Sequence, residues 1–304
     1  MTDAGLQYFL GSAVINRQGL LELRHSDVSH HAVAGDLYIH IDKKAKKCRP
    51  ESLKSLVKES KIFFINSTAV SYGSYTQIQC QFELMRQAAK QKYSYYHFLS
   101  DCDLPLRTQE HILDFFESHQ GREFVNIYGK NFSDGMRRRF NYIKEAFDAG
   151  FRLFGRKSEK LEYPWSLSTK LNPETKISSD AGFQLQAGIN ACSITHDLVS
   201  LILLKEPWCE QYLSKMGGVC ELFFQTILCN SMMKQNIYYH QYDNWSNATM
   251  RYIDYKQGNP YVWQKKDFDT LIRSPYLFAG PVHLKGKDSV AKDIYDYVAE
   301  KQKK

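Results

Sequence analysis

The sequence predicts an α/β fold in which a mixed central sheet is flanked by helices. Short runs rich in β-branched and aromatic residues alternate with longer stretches of helical periodicity, as in layered α/β proteins. The predicted strands are Leu37–Ile41, Ile62–Ile65, Tyr95–Leu99 and Phe124–Ile127. The clearest predicted helices are Thr76–Gln91 and Gln109–Ser118. In such sheets the functional residues are expected where strands end.

The whole chain, residues 1–304, is predicted to form a single domain because no linker-like stretch separates Leu6 from Val298. A hydrophobic fraction of 43% and a charged fraction of 24% are ordinary for a globular protein. Residues 132–175 are basic and aromatic with little periodicity, which predicts an insertion beside a binding cleft. Apolar periodicity then resumes in Ile194–Leu204 and Glu221–Leu228.

The composition favours a cytoplasmic protein. The apolar run Leu6–Ile15 is interrupted by polar residues, is shorter than the roughly 20 residues of a membrane span, and has no basic leader. Seven cysteines without CxxC spacing suit reduced thiols better than a disulfide framework. The 40 Lys and Arg exceed the 33 Asp and Glu by 7, a balance that permits contact with a polyanion, a diphosphate or the inner face of a membrane.

Two common classes of enzyme lose support because their motifs are missing. The sequence holds no phosphate-binding loop of Walker or Rossmann spacing and no GxSxG or HExxH pattern. Dehydrogenase and hydrolase interpretations are therefore disfavoured.

Three carboxylate positions are candidates for chemistry. Asp42 follows the strand in LYIHIDKK, where it can accept hydrogen bonds from a nucleotide, although a plain turn residue is the alternative. Asp101 and Asp103 follow the predicted strand Tyr95–Leu99 and are two residues apart, a spacing that can hold Mn²⁺ or Mg²⁺. The alternative for this pair is a polar turn before Pro105 that Asp103 braces.

Glu221 is the candidate general base. It precedes a helix-like apolar run, and burial against Cys220, Phe223 and Phe224 would raise its pKa toward the range useful for proton transfer. The alternative is a first-turn glutamate that only complements the helix dipole.

Six segments, in order and spacing, resemble the core-2/I-branching β-1,6-N-acetylglucosaminyltransferase family. They are LYIHIDKK, SYGSYTQIQCQFELMRQA, YYHFLSDCDLPLRTQEHILDFF, QAGINACSITHDLVSLIL, GGVCELFFQTILCNS and MRYIDYKQGNPYVWQKKDFDTLIRSPYLFAG. The resemblance extends from about Leu37 to Gly280. It implies a GT-A glycosyltransferase fold, a UDP-sugar donor, inversion at the anomeric carbon, and Glu221 as the base.

The resemblance also implies a donor site. Asp42 would face the uridine, and Tyr72, Gly73 and Thr76 would shape the loop beside it. Ser100–Pro105 occupies the SGxD-P turn of the family, and Gly188 matches a turn before the late strand and helix.

Three departures from the family pattern affect these expectations. Asp101 stands where the family has Gly, so a family that works without metal could here bind Mn²⁺ or Mg²⁺. Gly280 and Pro281 replace a family Arg and Lys, and Lys285, Lys287 and Arg251 are the candidates to stabilise the departing UDP. Cys220 removes the acidic neighbour of Glu221.

The resulting expectation is transfer of N-acetylglucosamine from a UDP-sugar to a carbohydrate hydroxyl with a β linkage, in bacterial surface polysaccharide synthesis. Residues 132–175 would then lie on the acceptor side. A non-catalytic sugar-binding protein of the same fold is the first alternative. A nucleic-acid-binding module is the second, supported only by charge and 20 tyrosines. The sequence predicts no nucleic-acid partner and no obligatory cofactor.

Overall fold

The computed structural model describes residues 8–10, 35–43, 61–65, 68–71, 74–100, 102–129, 183–214, 218–242, 245–258, 260–284 and 286–303. Its strands are β1 (Tyr8–Leu10), β2 (Gly35–His40), β3 (Ile62–Ile65), β4 (Tyr95–Phe98), β5 (Leu104–Pro105), β6 (Cys192–Thr195), β7 (Arg251–Tyr252) and β8 (Phe278–Ala279). Its α-helices are α1 (Thr76–Ala88), α2 (Gln109–Ser118), α3 (His196–Leu204), α4 (Glu206–Leu213), α5 (Phe223–Cys229), α6 (Trp245–Thr249), α7 (Phe268–Arg273) and α8 (Ala291–Gln302).

The larger sheet has five strands in the order β3-β2-β1-β4-β6. The first four run parallel, and β6 runs antiparallel to β4, so that Phe98 at the end of β4 lies opposite Cys192 at the start of β6. The carboxyl ends of β1 to β4 and the entry to β6 therefore share one edge. An α/β fold with a mixed sheet is confirmed.

Strand β4 lies in the interior of the layered fold. Every residue of β4 is buried, which is typical of a parallel strand inside a layered sheet. Helix α1 buries Ile78, Phe82 and Met85 at helical spacing and packs against β2 and α3. The Phe82 ring lies 5.0 Å from that of Phe223, which ties α1 to α5.

A smaller sheet in the order β5-β8-β7 forms a second layer. One of its faces packs on a separate core that includes Leu104, Trp263, Leu271 and Ile294. Helices α7 and α8 close that core because Leu271 and Ile294 are their buried residues.

Most of the predicted elements are confirmed. Ile62–Ile65 and Gln109–Ser118 have the predicted bounds, and the predicted helix Thr76–Gln91 is α1 followed by the 3₁₀ turn Ala89–Gln91. None of the helices within the described ranges is both long and apolar enough to cross a membrane. The predicted insertion at 132–175 lies outside the described residues.

The predicted strand Phe124–Ile127 is wrong. Only Phe124 bridges to β6, at Ser193, and residues 125–129 have no regular structure. The segment instead contacts the chain before β6: the Asn126 side chain accepts from the Ile189 N–H at 3.2 Å, and the Tyr128 N–H donates to Ala187 O at 2.8 Å. The β-branched and aromatic residues of this segment are therefore buried, but the segment does not form a continuous ladder of hydrogen bonds with a neighbouring strand.

Candidate functional site

The candidate site lies at the carboxyl edge of the larger sheet. Asp42 comes two residues after β2, the turn Ser100–Asp103 follows β4, and Gly188 precedes β6. Because these strand ends share one edge, the fold brings the three segments to the same side of the sheet.

Asp42 is held in place by the backbone on either side of it. The Ile41 N–H donates to Ile65 O at 2.8 Å and the Lys43 N–H to Thr68 O at 3.2 Å, so the chain leaving β2 stays paired with the chain leaving β3. Asp42 is 8% exposed and still reaches the surface. Below it, His40 is fully buried, and burial lowers the pKa of its imidazole despite the nearby charges of Glu83 and Asp42.

The loop before α1 is ordered by its own hydroxyl groups. The Ser71 N–H donates to Thr76 Oγ1 at 2.8 Å, and the Ser74 and Thr76 hydroxyl oxygens are 2.6 Å apart. Thr76 is the first residue of α1, so the positive end of this helix dipole faces the same edge. Tyr72 and Gly73 lie outside the described residues.

Asp103 braces the turn after β4. Its Oδ2 accepts from the Ser100 N–H at 2.7 Å, and the Cys102 carbonyl accepts from the Val282 N–H at 2.9 Å. A Cβ placed on Gly280 would lie 1.7 Å from Asp103 Oδ1, so the turn packs directly on the Gly280 backbone. The residue that replaces a basic side chain of the family pattern is therefore the one that makes room for this carboxylate.

The metal expectation rests on Asp101 together with Asp103. One oxygen of Asp103 is already occupied by the Ser100 N–H, and Asp101 lies outside the described residues. Within the described part of the chain, no three His, Cys, Asp or Glu side chains form a group that could hold a metal ion.

Glu221 ends the 3₁₀ turn Val219–Glu221, is separated from α5 by Leu222 alone, and is half-buried. Its carbonyl accepts from the Gly188 N–H at 2.9 Å, which joins this turn to the chain entering β6. A Cβ on Gly188 would lie 1.9 Å from Asn126 O, so only glycine permits this approach. Gln225 secures the same segment by donating to Ile189 O at 2.8 Å.

Helix α1 connects the Asp42 and Glu221 parts of the site. The Cys80 thiol of this helix is fully buried, and its pKa is raised to about 12 by burial and by the charges of Glu83, Cys220 and Asp42. The same helix contacts β2, which Asp42 follows, and also contacts the turn Val219–Glu221. The segments that carry the two candidate carboxylates therefore both contact α1.

Arg251 lies beneath the edge and not on its surface. It is 1% exposed, and its guanidinium donates to Cys192 O at 2.6 Å, to Ser193 Oγ at 3.0 Å and to Phe98 O at 3.4 Å. Burial lowers its pKa to about 10. Its described contacts hold the end of β4 against the start of β6. This buried, structural role differs from the prediction that Arg251 contacts the departing UDP.

The remaining predicted cations are only partly placed. Lys287 is exposed in the segment between β8 and α8, and Lys285 lies outside the described residues.

Asn126 and Gln225, which hold the Gly188 segment, were not predicted. Their signal in the sequence is a single amide inside an apolar run, in FVNIY and in LFFQTIL.

Comparison with known proteins supplies the family of this chain. No curated protein matches the chain. The family model of the core-2/I-branching enzyme matches residues 20–271, which is well over half of the chain and contains β2 to β7, Asp42, Asp103 and Glu221. The strand-end carboxylates and the glutamate turn thus lie in the segment that defines these glycosyltransferases, and the chain belongs to the core-2/I-branching enzyme family.

Proposed function

We propose that this protein is an inverting glycosyltransferase of GT-A fold that transfers N-acetylglucosamine from a UDP-sugar to a carbohydrate hydroxyl, forming a β linkage. The observation that carries the proposal is that α1 contacts both β2, which Asp42 follows, and the turn that ends at Glu221. Asp42 can bind the nucleotide, and Glu221 can contact the acceptor hydroxyl.

The donor would lie along the edge between β2 and β4. Asp42 accepts hydrogen bonds from the uridine, and the hydrogen-bonded residues Ser71, Ser74 and Thr76 form part of the wall beside it. The N-terminus of α1 directs its positive end toward the diphosphate, and Lys43 is exposed next to Asp42.

In the transfer step, the Glu221 carboxylate accepts the proton of the acceptor hydroxyl as the hydroxyl oxygen forms a bond to the anomeric carbon. The bond from that carbon to the β-phosphate oxygen breaks, and UDP leaves with the electron pair. A single displacement from the opposite face inverts the configuration. The hydrogen bond from Gly188 to Glu221 O sets where the base stands relative to the sheet.

Charge that grows on UDP needs fixed positive groups. The α1 dipole, Lys287 and Lys285 are the candidates. Arg251 is not among them, because its guanidinium is buried and donates to backbone carbonyls in the core. If Asp101 and Asp103 bind Mn²⁺ or Mg²⁺, the ion would neutralise the same charge. The mechanism assigned to Glu221 is the same in both cases.

We place the reaction at the inner face of a bacterial membrane, in the synthesis of a surface polysaccharide. The formal charge of +7 suits an anionic surface. The six cysteines in the described ranges are free thiols, which suits a reducing compartment.

A donor panel tests the proposal. Calorimetry should show binding of UDP but not of ADP or GDP, and Asp42→Asn should weaken UDP binding while Asp114→Asn, an exposed residue of α2, should not. UDP release from UDP-N-acetylglucosamine with mixed acceptors should persist in EDTA. Strict Mn²⁺ dependence would instead assign the diphosphate to Asp101 and Asp103, and donor binding without turnover on any acceptor would contradict the transferase proposal.

A further inference from the structure

A cavity that is largely open to solvent, and is not used by the proposed transfer step, is lined by Tyr252 of β7, by α7 and by the residues that follow α7. Its volume is about 440 Å³, within the range of roughly 300–1,000 Å³ of small-molecule sites. One wall is formed by two tyrosines and the other by polar residues of α7; the lining includes Tyr252, Asp269, Thr270, Arg273, Ser274 and Tyr276.

The aromatic wall is rigid. The rings of Tyr252 and Tyr276 lie 5.0 Å apart at 47°, and the Tyr252 ring lies 4.6 Å from that of the buried Trp263. The Tyr276 hydroxyl donates to Asn247 Oδ1 at 3.0 Å, which fixes the direction of its ring. A ligand would meet a surface that loses little side-chain entropy on binding.

The polar wall is exposed but firmly anchored. Asp269, Thr270 and Arg273 are exposed, while Leu271 of the same helix is fully buried. Arg107 supports the helix end from below because its guanidinium donates to Ile272 O at 3.2 Å and to Ser274 O. The carboxylate and the guanidinium are four residues apart and lie on one helix face.

This combination suits a carbohydrate. A pyranose ring has a face of C–H groups that stacks on an aromatic ring and a rim of hydroxyls that hydrogen-bond to carboxylate and guanidinium groups. Nucleotide phosphates fit the cavity less well, since the carboxylate of Asp269 faces it beside the single arginine.

The cavity also lies within reach of the transfer site. Tyr252 pairs with Ala279, which pairs with Leu104, the residue after Asp103. Two strand spacings, about 10 Å, therefore separate Tyr252 from the chain that leaves the donor turn. We infer that this cavity is a carbohydrate subsite that holds part of a sugar chain remote from the reacting hydroxyl. That the bound chain is the acceptor rests on the proposed function; sugar binding itself does not.

Calorimetry or ligand-observed NMR with N,N′,N″-triacetylchitotriose, without donor, tests this subsite. Wild-type protein should bind the trisaccharide, and Tyr276→Ala should weaken binding about tenfold. The matched control is Tyr212→Ala, whose ring packs on Trp208 at 5.4 Å on the distant helix α4. Arg273→Ala, at an exposed position, keeps the test valid if Tyr276→Ala does not fold.

The same affinity in Tyr276→Ala and Arg273→Ala as in Tyr212→Ala would overturn the subsite, as would no binding of the trisaccharide to wild type. Failure of the transfer proposal has a different result. Trisaccharide binding that depends on Tyr276, together with no UDP release from any donor, would contradict the transferase proposal and still support the carbohydrate subsite.

Discussion

Arg251 is a buried cation that connects the two strand ends under the site. Its hydrogen bonds to Phe98 O and Cys192 O join β4 to β6, and its guanidinium lies 5.1 Å from the Phe278 ring. Arg251→Lys keeps the charge but cannot reproduce the planar fork, so we expect a loss of about 2–4 kcal/mol in the free energy of unfolding. UDP affinity should fall as well, because the donor turn starts at the end of β4.

Arg107→Lys is the matched control for Arg251→Lys. Arg107 also donates to backbone carbonyls, at Leu106 and Ile272, but it supports α7 and not the larger sheet. Denaturant unfolding and UDP calorimetry on both variants separate stability from positioning. If the two variants lose stability and UDP affinity in the same proportion, Arg251 has no special role in placing the donor turn.

Glu123 makes stability depend on pH. It is fully buried against the Thr195 N–H and hydroxyl, and burial raises its pKa to about 7 from the ordinary 4.5. Between these values the folded state retains a proton that the unfolded state has lost. Its stabilising contribution is therefore complete below about pH 4.5 and falls, by up to about 3 kcal/mol, as pH rises toward 7.

Glu123→Gln should remove this slope because the amide does not titrate. Buried His40 and His97, whose pKa values are lowered by burial, act in the opposite direction, so the quantity to compare is the difference between wild type and variant. Urea unfolding from pH 5 to 7.5 measures it, with Glu117→Gln, at an exposed position of α2, as the control. Parallel profiles for wild type and Glu123→Gln would refute the buried-acid interpretation.

At the scale of elements, the contact between the chain before β6 and the turn Val219–Glu221 sets the position of the base. Gly188→Ala would place a methyl group 1.9 Å from Asn126 O, and a backbone carbonyl cannot move aside cheaply. We expect a loss of about 1–3 kcal/mol in unfolding free energy and a large loss of turnover, while UDP affinity is retained.

Gly129→Ala is the control for this contact, since its nearest neighbour would be Tyr242 O at an ordinary 3.7 Å. Thermal unfolding and UDP release measured on both variants give the comparison. Full turnover in Gly188→Ala would show that the hydrogen bond from Gly188 to Glu221 O does not position the base.

The elements that could be predicted from sequence are those whose pattern is local. The period of the apolar residues and the length of the segment were enough to predict the strand Ile62–Ile65 and the helix Gln109–Ser118, because their neighbours reinforce the local preference. Phe124–Ile127 has the same local pattern, yet its partners are a single residue of β6 and the irregular chain before it. Such pairing is set by residues some 60 positions away and leaves no mark on periodicity.

At the scale of the whole molecule, the sequence indicated where carboxylates would gather but not which way each side chain would face. Asp42 and Glu221 were chosen from strand-end and helix-start positions together with the family resemblance, and their roles stay predictions. Arg251 precedes a tyrosine in a short strand, and only the packing of β7 on β8 shows that it faces the larger sheet while Tyr252 faces the second core. Asp103 looks like a metal ligand by spacing and is a turn brace by contact.

The smaller sheet gives the molecule two layers with different tasks. The larger sheet carries the proposed donor edge, and the smaller one connects the donor turn, through β5 and β8, to the tyrosine-lined cavity. The match to the glycosyltransferase family reaches into the smaller layer, because it extends to residue 271 in α7 and so includes β5 and β7 but not β8.

The most direct test of the central claim is UDP release by Glu221→Gln compared with Glu210→Gln, an exposed glutamate of α4. If Glu221 is the base, its variant should lose at least about a hundredfold in turnover with unchanged UDP affinity, and Glu210→Gln should match wild type in both. Turnover in Glu221→Gln within a fewfold of wild type would contradict the account.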